Sequence, residues 1–225
     1  MLLKSGAEFT NAVIDLITGL ILIPLIFILK NVKGDDKKKR KWLELLALLS
    51  LGDILGFLVH GFNFSELIFD ILWIPLYAVM ILIVLRFFFL AYFDYYDKEI
   101  GKNVRIIIDI IALVDYVICV VNGFLTVSNI YPYLIFAVIP AVVGFLYYMI
   151  MLFKREYSPS IYMVVALVLQ LVGFYFQITR RGYLKIIWEF NCDGIYHIFL
   201  LITVVILFIF GLSDIKYIEK NNEVR

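Results

Sequence analysis

The sequence predicts an all-α integral membrane protein, a single bundle of seven transmembrane helices that spans residues 1–225. Apolar residues make up 64% of the chain and charged residues 17%, whereas a soluble domain is nearer half apolar and a quarter charged. The apolar residues also gather in long stretches, and a helix needs about 20 of them to cross the hydrocarbon core. Such a composition requires a non-aqueous solvent for most of the chain.

Seven stretches satisfy this length requirement. They cover residues 8–30, 42–61, 66–90, 104–127, 131–153, 161–179 and 192–212. Their length and their lack of alternating polarity exclude a transmembrane β-barrel. The two cysteines, Cys119 and Cys192, are too few for a disulfide framework.

The basic residues predict the orientation, because lysine and arginine accumulate in cytoplasmic connections. Fifteen of them flank the inner ends of the predicted segments, seven in or beside the first connection at residues 30–41, and four lie on the opposite side. The N-terminus is therefore expected outside and the C-terminus in the cytoplasm. The run Lys37–Lys41 is interpreted as a topology signal, with binding to anionic lipid as the alternative.

In this orientation, polar residues that are distant in sequence reach one depth near the outer face. Charged side chains within a bilayer are costly and are expected to face one another inside the bundle. Asp193 and His197 are four residues apart on one helix face, a spacing that lets two side chains bind one ion. The residues at this depth are Glu8, Asn11, Asp15, His60, Asp70, Asp193 and His197.

The segment Ala7–Ile17 resembles the first-helix motif of alkaline ceramidases, A-E-F-x-N-x-x-x-N-L-I. In that family, Ser-x-x-x-His ends the second helix, an aspartate follows, and the seventh helix carries His-x-x-x-His. His60, Asp70 and His197 match three of these positions, and the order agrees across the chain. The resemblance, which extends to adiponectin-receptor-like proteins, implies a zinc ion held by three side chains and hydrolysis of a lipid amide.

Two positions depart from the family pattern. Gly56 stands in place of the serine, and Asp193 stands in place of the first paired histidine. The family's acidic calcium-binding segment is missing before Glu8, so calcium is not expected. His60, Asp193 and His197 nevertheless form an acceptable zinc ligand set, since zinc accepts carboxylate oxygen as well as imidazole nitrogen.

Several roles stay open at this point. Asp70 is expected to act as the general base or to orient a ligand, and Cys192 is a rival ligand. Glu8, Asn11 and Asp15 are expected to support the site, or to tie helices together by hydrogen bonds. The charged residues at 180–189 are interpreted as a solvated loop.

The leading hypothesis is a zinc-dependent membrane hydrolase that acts on a lipid amide or ester entering from the outer leaflet. The competing hypothesis is a lipid-binding sensor with the same bundle and no chemistry. A transporter is a third class, and it predicts polar residues spread from one face to the other. The lysine- and isoleucine-rich composition is typical of a bacterial inner membrane protein.

Overall fold

The structure, a computed structural model, describes residues 2–4, 6–125, 131–154, 158–185 and 189–222. The described residues form seven α-helices: α1 (Ala7–Lys30), α2 (Asp36–Gly61), α3 (Glu66–Tyr96), α4 (Lys102–Leu125), α5 (Tyr131–Phe153), α6 (Ser160–Thr179) and α7 (Cys192–Asn222). Residues 126 and 127 of the fourth predicted segment, and Arg155 and Arg225 of the basic residues used for orientation, lie outside the described residues. The all-α prediction is confirmed.

In the described part of the chain, six helices are long and apolar enough to cross a membrane, namely α1, α2, α3, α5, α6 and α7. They indicate a multi-pass membrane protein. Many large apolar side chains on these helices are exposed, among them Phe27, Ile135 and Phe153. Such exposure fits a lipid environment, because apolar surface of this extent is rare on soluble monomers.

Two pairs of very short strands join the helix ends. The strand β1 (Leu2–Leu3) pairs with β2 (Phe62–Asn63), and β3 (Leu184–Lys185) pairs with β4 (Glu189–Phe190), both antiparallel. The first pair fastens the chain before α1 to the end of α2. The second forms a hairpin between α6 and α7. Both pairs therefore lie beside the helix ends that carry His60 and His197.

The helix bounds differ most from the predicted segments where α2 begins six residues earlier, α3 ends six residues later and α7 ends ten residues later. Helix α2 begins at Asp36, and Asp35 caps it by accepting hydrogen bonds from the backbone N–H groups of Lys37 and Lys38, at 2.7 and 3.0 Å. Aspartate is a preferred cap because its carboxylate satisfies amides that have no helical partner. The basic run therefore lies on the first turns of α2 instead of in a loop.

A buried polar network joins four helices at the end of the bundle where α2 begins. Lys38 donates to Asp214 and lies 3.0 Å from Asp94, and both carboxylates are fully buried. The indole of Trp42 donates to Asp214 at 2.7 Å, and the hydroxyl of Tyr148 donates to Asp94 at 2.8 Å. Lys38, counted above as a topology signal, is therefore also a structural residue linking α2, α3 and α7.

Candidate metal centre

Three helices bring Asp15, His60 and His197 together near one end of the bundle. One potential ligand atom of each residue lies within 4.8 Å of the others. The two imidazole rings meet edge to face with their centroids 5.7 Å apart. Asp15 and His197 are buried, and His60 is half-buried. The structure thus unites the two histidines, as the sequence predicts, and adds a carboxylate from α1.

Asp15 is held between α2 and α7. Its Oδ1 lies 2.6 Å from Nδ1 of His197. On its other side, a Cβ added at Gly56 would lie 2.8 Å from Asp15 Oδ2. A side chain at residue 56 would therefore push the carboxylate away, and glycine leaves the space that Asp15 fills. This close approach explains why α2 carries glycine one turn before His60.

The three residues line one end of a cavity of about 330 Å³ between the helices. This volume is near the lower end of the range for ligand pockets, about 300–1,000 Å³. The remaining wall is largely apolar and includes Leu45, Leu49, Ile83, Met163 and Leu207. The cavity therefore combines a polar end with a long apolar remainder, which matches an amphiphilic ligand.

Several buried oxygens at this cavity have no hydrogen-bond partner among the described residues. They are Asp15 Oδ2, Asp53 Oδ2 and Gln170 Oε1. Buried polar atoms are nearly always paired in folded proteins, because an unpaired one loses its hydration without compensation. These atoms are therefore positions along the cavity where a bound ligand or water would find a hydrogen-bond partner.

The acidic residue of the group differs from the predicted one. Asp193 was predicted as the third ligand because it precedes His197 by one turn, but the group contains Asp15 in its place. Asp193 instead pairs with Arg180, whose Nη1 lies 3.1 Å from Asp193 Oδ2. Arg180 ends α6 with a left-handed backbone, φ 53°. Cys192, the rival ligand, is a buried free cysteine and is not in the group either.

Asp70 lies apart from the three residues. It lines a separate small pocket between α3 and α4, with Phe69, Trp73 and Phe124 among its neighbours. It is not among the described residues that line the large cavity. The prediction that Asp70 acts on a metal-bound water therefore finds no support in the geometry, since a base must lie within hydrogen-bond reach of its proton.

Glu8 and Asn11 have different surroundings. The Glu8 side chain is 58% exposed and pairs with Lys4 at 2.9 Å, so it does not contact the three residues' ligand atoms. Asn11 is buried, and its side-chain nitrogen donates to Asn191 Oδ1 at 3.2 Å. The same Asn191 oxygen accepts from the backbone N–H of Gly194 at 2.9 Å and caps the start of α7. Asn11 thus fixes the entry of α7 one turn before His197.

The hairpin beside the site carries exposed charges, as the sequence predicts for this connection. Lys185 Nζ lies 2.6 Å from Glu189 Oε1 across the β3–β4 pair. This hydrogen bond raises the pKa of Lys185 and lowers the pKa of Glu189. Pairs with this much exposure are worth little in stability, so the β3–β4 pair is held mainly by its backbone hydrogen bonds.

The fold and the site together define a multi-pass membrane protein with a candidate metal centre buried at one end of its bundle. The chain belongs to the DUF6962 family, a family of unknown function, whose model matches residues 10–216. That range contains Asp15, His60 and His197. No curated protein and no solved structure matches the chain.

Proposed function

We propose that this protein is a zinc-dependent membrane hydrolase that cleaves a lipid amide. The observation that carries the proposal is the position of Asp15, His60 and His197 at the polar end of the apolar cavity, with ligand atoms within 4.8 Å of one another. A ligand whose chain occupies the cavity would present its polar end to these three residues. An ester is the closest alternative substrate for the same chemistry.

The donor set fits zinc. Two imidazole nitrogens and one carboxylate oxygen are a ligand set that catalytic zinc sites use, with a fourth position left for water. Asp15, His60 and His197 would hold the ion, and the chemistry it would supply is activation of a water near neutral pH. The unpartnered Asp15 Oδ2 is a buried acceptor beside Gly56. Asp15 would help to hold the ion, and its contact with His197 would orient that imidazole.

The resemblance to alkaline ceramidases supports the same conclusion. Asp15 stands where the first-helix motif has its second asparagine, and His60 and His197 stand at two of the family's histidine positions. The proposal departs from the family because one of its metal ligands, Asp15, is an acidic residue on the first helix. It also assigns no role in the reaction to Asp70.

The proposed arrangement in the membrane follows from the basic residues. We infer seven spans, including α4, with the N-terminus outside and the C-terminus in the cytoplasm. The metal centre then lies near the outer face, and a lipid would enter sideways from the outer leaflet. A bacterial inner membrane is the proposed location, on the strength of the lysine- and isoleucine-rich composition.

The test is hydrolysis of short-chain ceramide and other N-acyl lipids by the purified protein. We expect release of fatty acid that stops on chelation and returns with zinc. His60→Ala and His197→Ala should each reduce the rate by more than about a hundredfold, since even residues that only orient metal ligands are worth about 10–100-fold. Asp36→Asn is the control, because the exposed Asp36 pairs with Lys39 at the opposite end of α2 and should leave the rate unchanged.

A second candidate function is a lipid-binding sensor that keeps the metal and lacks catalysis. Two observations favour it: Gly56 provides no hydroxyl, and Asp70 lies in a separate pocket. Zinc binding and lipid binding without release of fatty acid from any N-acyl or ester probe would support the sensor and contradict the hydrolase.

A further inference from the structure

Below the metal centre, the cavity contains two hydrogen-bond acceptors that no described residue satisfies. Asp53 is 7% exposed, and its Oδ2 has no partner. Gln170 Oε1, on α6, is likewise buried without a partner, while the Gln170 side chain as a whole lies within hydrogen-bond reach of the Tyr196 hydroxyl. Both residues line the cavity, and they belong to different helices. The rest of the wall is mainly apolar, although Trp73, Tyr133, Tyr196 and Thr203 also contribute polar groups to it.

The depth of this feature follows from helix geometry. Asp53 precedes His60 by seven residues on α2, which corresponds to about 10 Å along the helix axis. Asp53 also precedes Gly56 by three residues, which is less than one helical turn, and Gly56 packs against Asp15. Asp53 thus lies deeper in the bundle than the metal centre, beside the part of the cavity where the apolar chain of a ligand would lie.

Two acceptors require a donor. A carboxylate and an amide oxygen cannot hydrogen-bond each other without an added proton, and leaving them unpaired is unfavourable. A purely hydrocarbon chain at this depth would bury both oxygens without compensation. A chain with a hydroxyl group would donate to one of them. An ammonium group would also donate, but its transfer into an apolar cavity costs far more than that of a hydroxyl.

We propose that the ligand of this cavity is an amphiphile with a hydroxylated chain, whose hydroxyl donates to Asp53 or Gln170 below the metal centre. This inference rests on the proposed function only in that the cavity holds a lipid-like molecule with its polar end at Asp15, His60 and His197. The polar groups below the metal centre would select the substrate by a hydroxyl on its chain. The metal centre would select it by the bond that is cleaved.

The experiment measures binding of matched probes to the purified full-length protein in detergent. The probes are one fatty acyl ethanolamide and a series of the same molecule with a single hydroxyl moved along the acyl chain. We expect one or two adjacent isomers to bind at least about tenfold more tightly than the plain chain, because a site built for a hydroxyl discriminates strongly against its absence.

Asp53→Leu and Gln170→Leu should each reduce or abolish this preference, and Asp53→Leu should bind the plain chain more tightly than the wild type does. Leu49→Met is the matched control within the same wall, since this change conserves volume and polarity, and it should keep the preference. Asp53→Leu should also raise the melting temperature of the ligand-free protein, because it removes an unpaired buried carboxylate.

Equal affinity of the wild type for every probe would overturn the inference, as would a preference that survives both substitutions. Tighter binding of an amine-bearing chain than of any hydroxylated one would overturn it too. The readout is binding, so it separates the two proposals. A hydroxyl preference without metal or hydrolysis would contradict only the proposed function. Zinc-dependent hydrolysis without the preference would contradict only this inference.

Discussion

Residue 15 and residue 56 form a complementary pair that shapes the candidate metal centre. The carboxylate of Asp15 occupies the space beside Gly56, where an added Cβ would lie 2.8 Å from Oδ2. In the family pattern that the sequence resembles, an asparagine and a serine stand at these positions. Aspartate and asparagine have the same size, so the missing side chain at Gly56 is the change that opens the space for the carboxylate.

Substituting Gly56 by alanine should displace Asp15 and weaken zinc binding by at least about tenfold, since small shifts of metal-orienting groups have effects of this size. Zinc affinity of the purified variant, measured by competition with a chelating dye, is the test. Gly52→Ala is the control on the same helix, because its Cβ would meet Ile83 and Val79 at 3.4 Å, an ordinary contact. Unchanged affinity in Gly56→Ala would contradict the packing argument.

The sequence predicts both histidines of the site as ligands, but it predicts Asp15 only as a supporting residue at the same depth. His60 and His197 are the only histidines in the chain and end or open apolar segments, so their depth alone brings them together. Asp193 was chosen because spacing within a helix is visible in a sequence. Asp15 is on another helix, and its approach depends on the absence of a side chain at Gly56. Contacts between helices of this kind have no local signature.

At the scale of helices, the buried network of Lys38, Asp94 and Asp214 joins α2, α3 and α7 at the end of the bundle where α2 begins. The sequence did not predict this role for Lys38, because a lysine within a basic run is typical of a surface topology signal. The flanking lysines fit that role better, since Lys37 is exposed and Lys41 pairs with the exposed Glu99 at 2.6 Å.

The network also places polar residues at the opposite end of the bundle from the metal centre, a distribution that a transporter would show. However, the side chains of Trp42 and Phe210 pack against each other at this level and are fully buried. This packing does not fit an open transport path.

Replacing Lys38 by methionine should lower the melting temperature of the protein in detergent markedly. It would leave two buried carboxylates without their cation, and breaking a buried ion pair in this way is worth about 3–5 kcal/mol. Lys37→Met is the control, since Lys37 is exposed and surface changes usually stay within about 0.5 kcal/mol. Equal melting temperatures for the two variants would show that Lys38 is not a structural residue.

At the scale of the whole molecule, the site and the polar network lie at opposite ends of α2, so the orientation in the membrane decides which compartment each one faces. In the proposed orientation, which rests on the positive-inside rule, the candidate metal centre would lie near the outer surface. The length and apolarity of the helices could be predicted from the sequence because a membrane span leaves a strong compositional signal. The cavity could not, since its volume depends on how side chains from several helices meet.

The orientation is tested by labelling single introduced cysteines in whole cells with a membrane-impermeant maleimide. Tyr183→Cys, in the exposed connection before β3, should react from outside. Lys98→Cys, in the exposed turn after α3, should react only after the cells are permeabilised. The native Cys119 and Cys192 are buried and should give little background. The opposite labelling pattern would place the metal centre at the cytoplasmic face and contradict substrate entry from the outer leaflet.

The central claim is that Asp15, His60 and His197 bind one zinc ion, and metal analysis of the purified protein tests it most directly. We expect about one zinc per chain with nitrogen and oxygen neighbours by X-ray absorption. Zinc should be lost in His60→Ala, His197→Ala and Asp15→Leu, and retained in Asp193→Leu, whose side chain pairs with Arg180. A wild-type protein that binds no zinc, or zinc that depends on Asp193 and not on Asp15, would contradict the account.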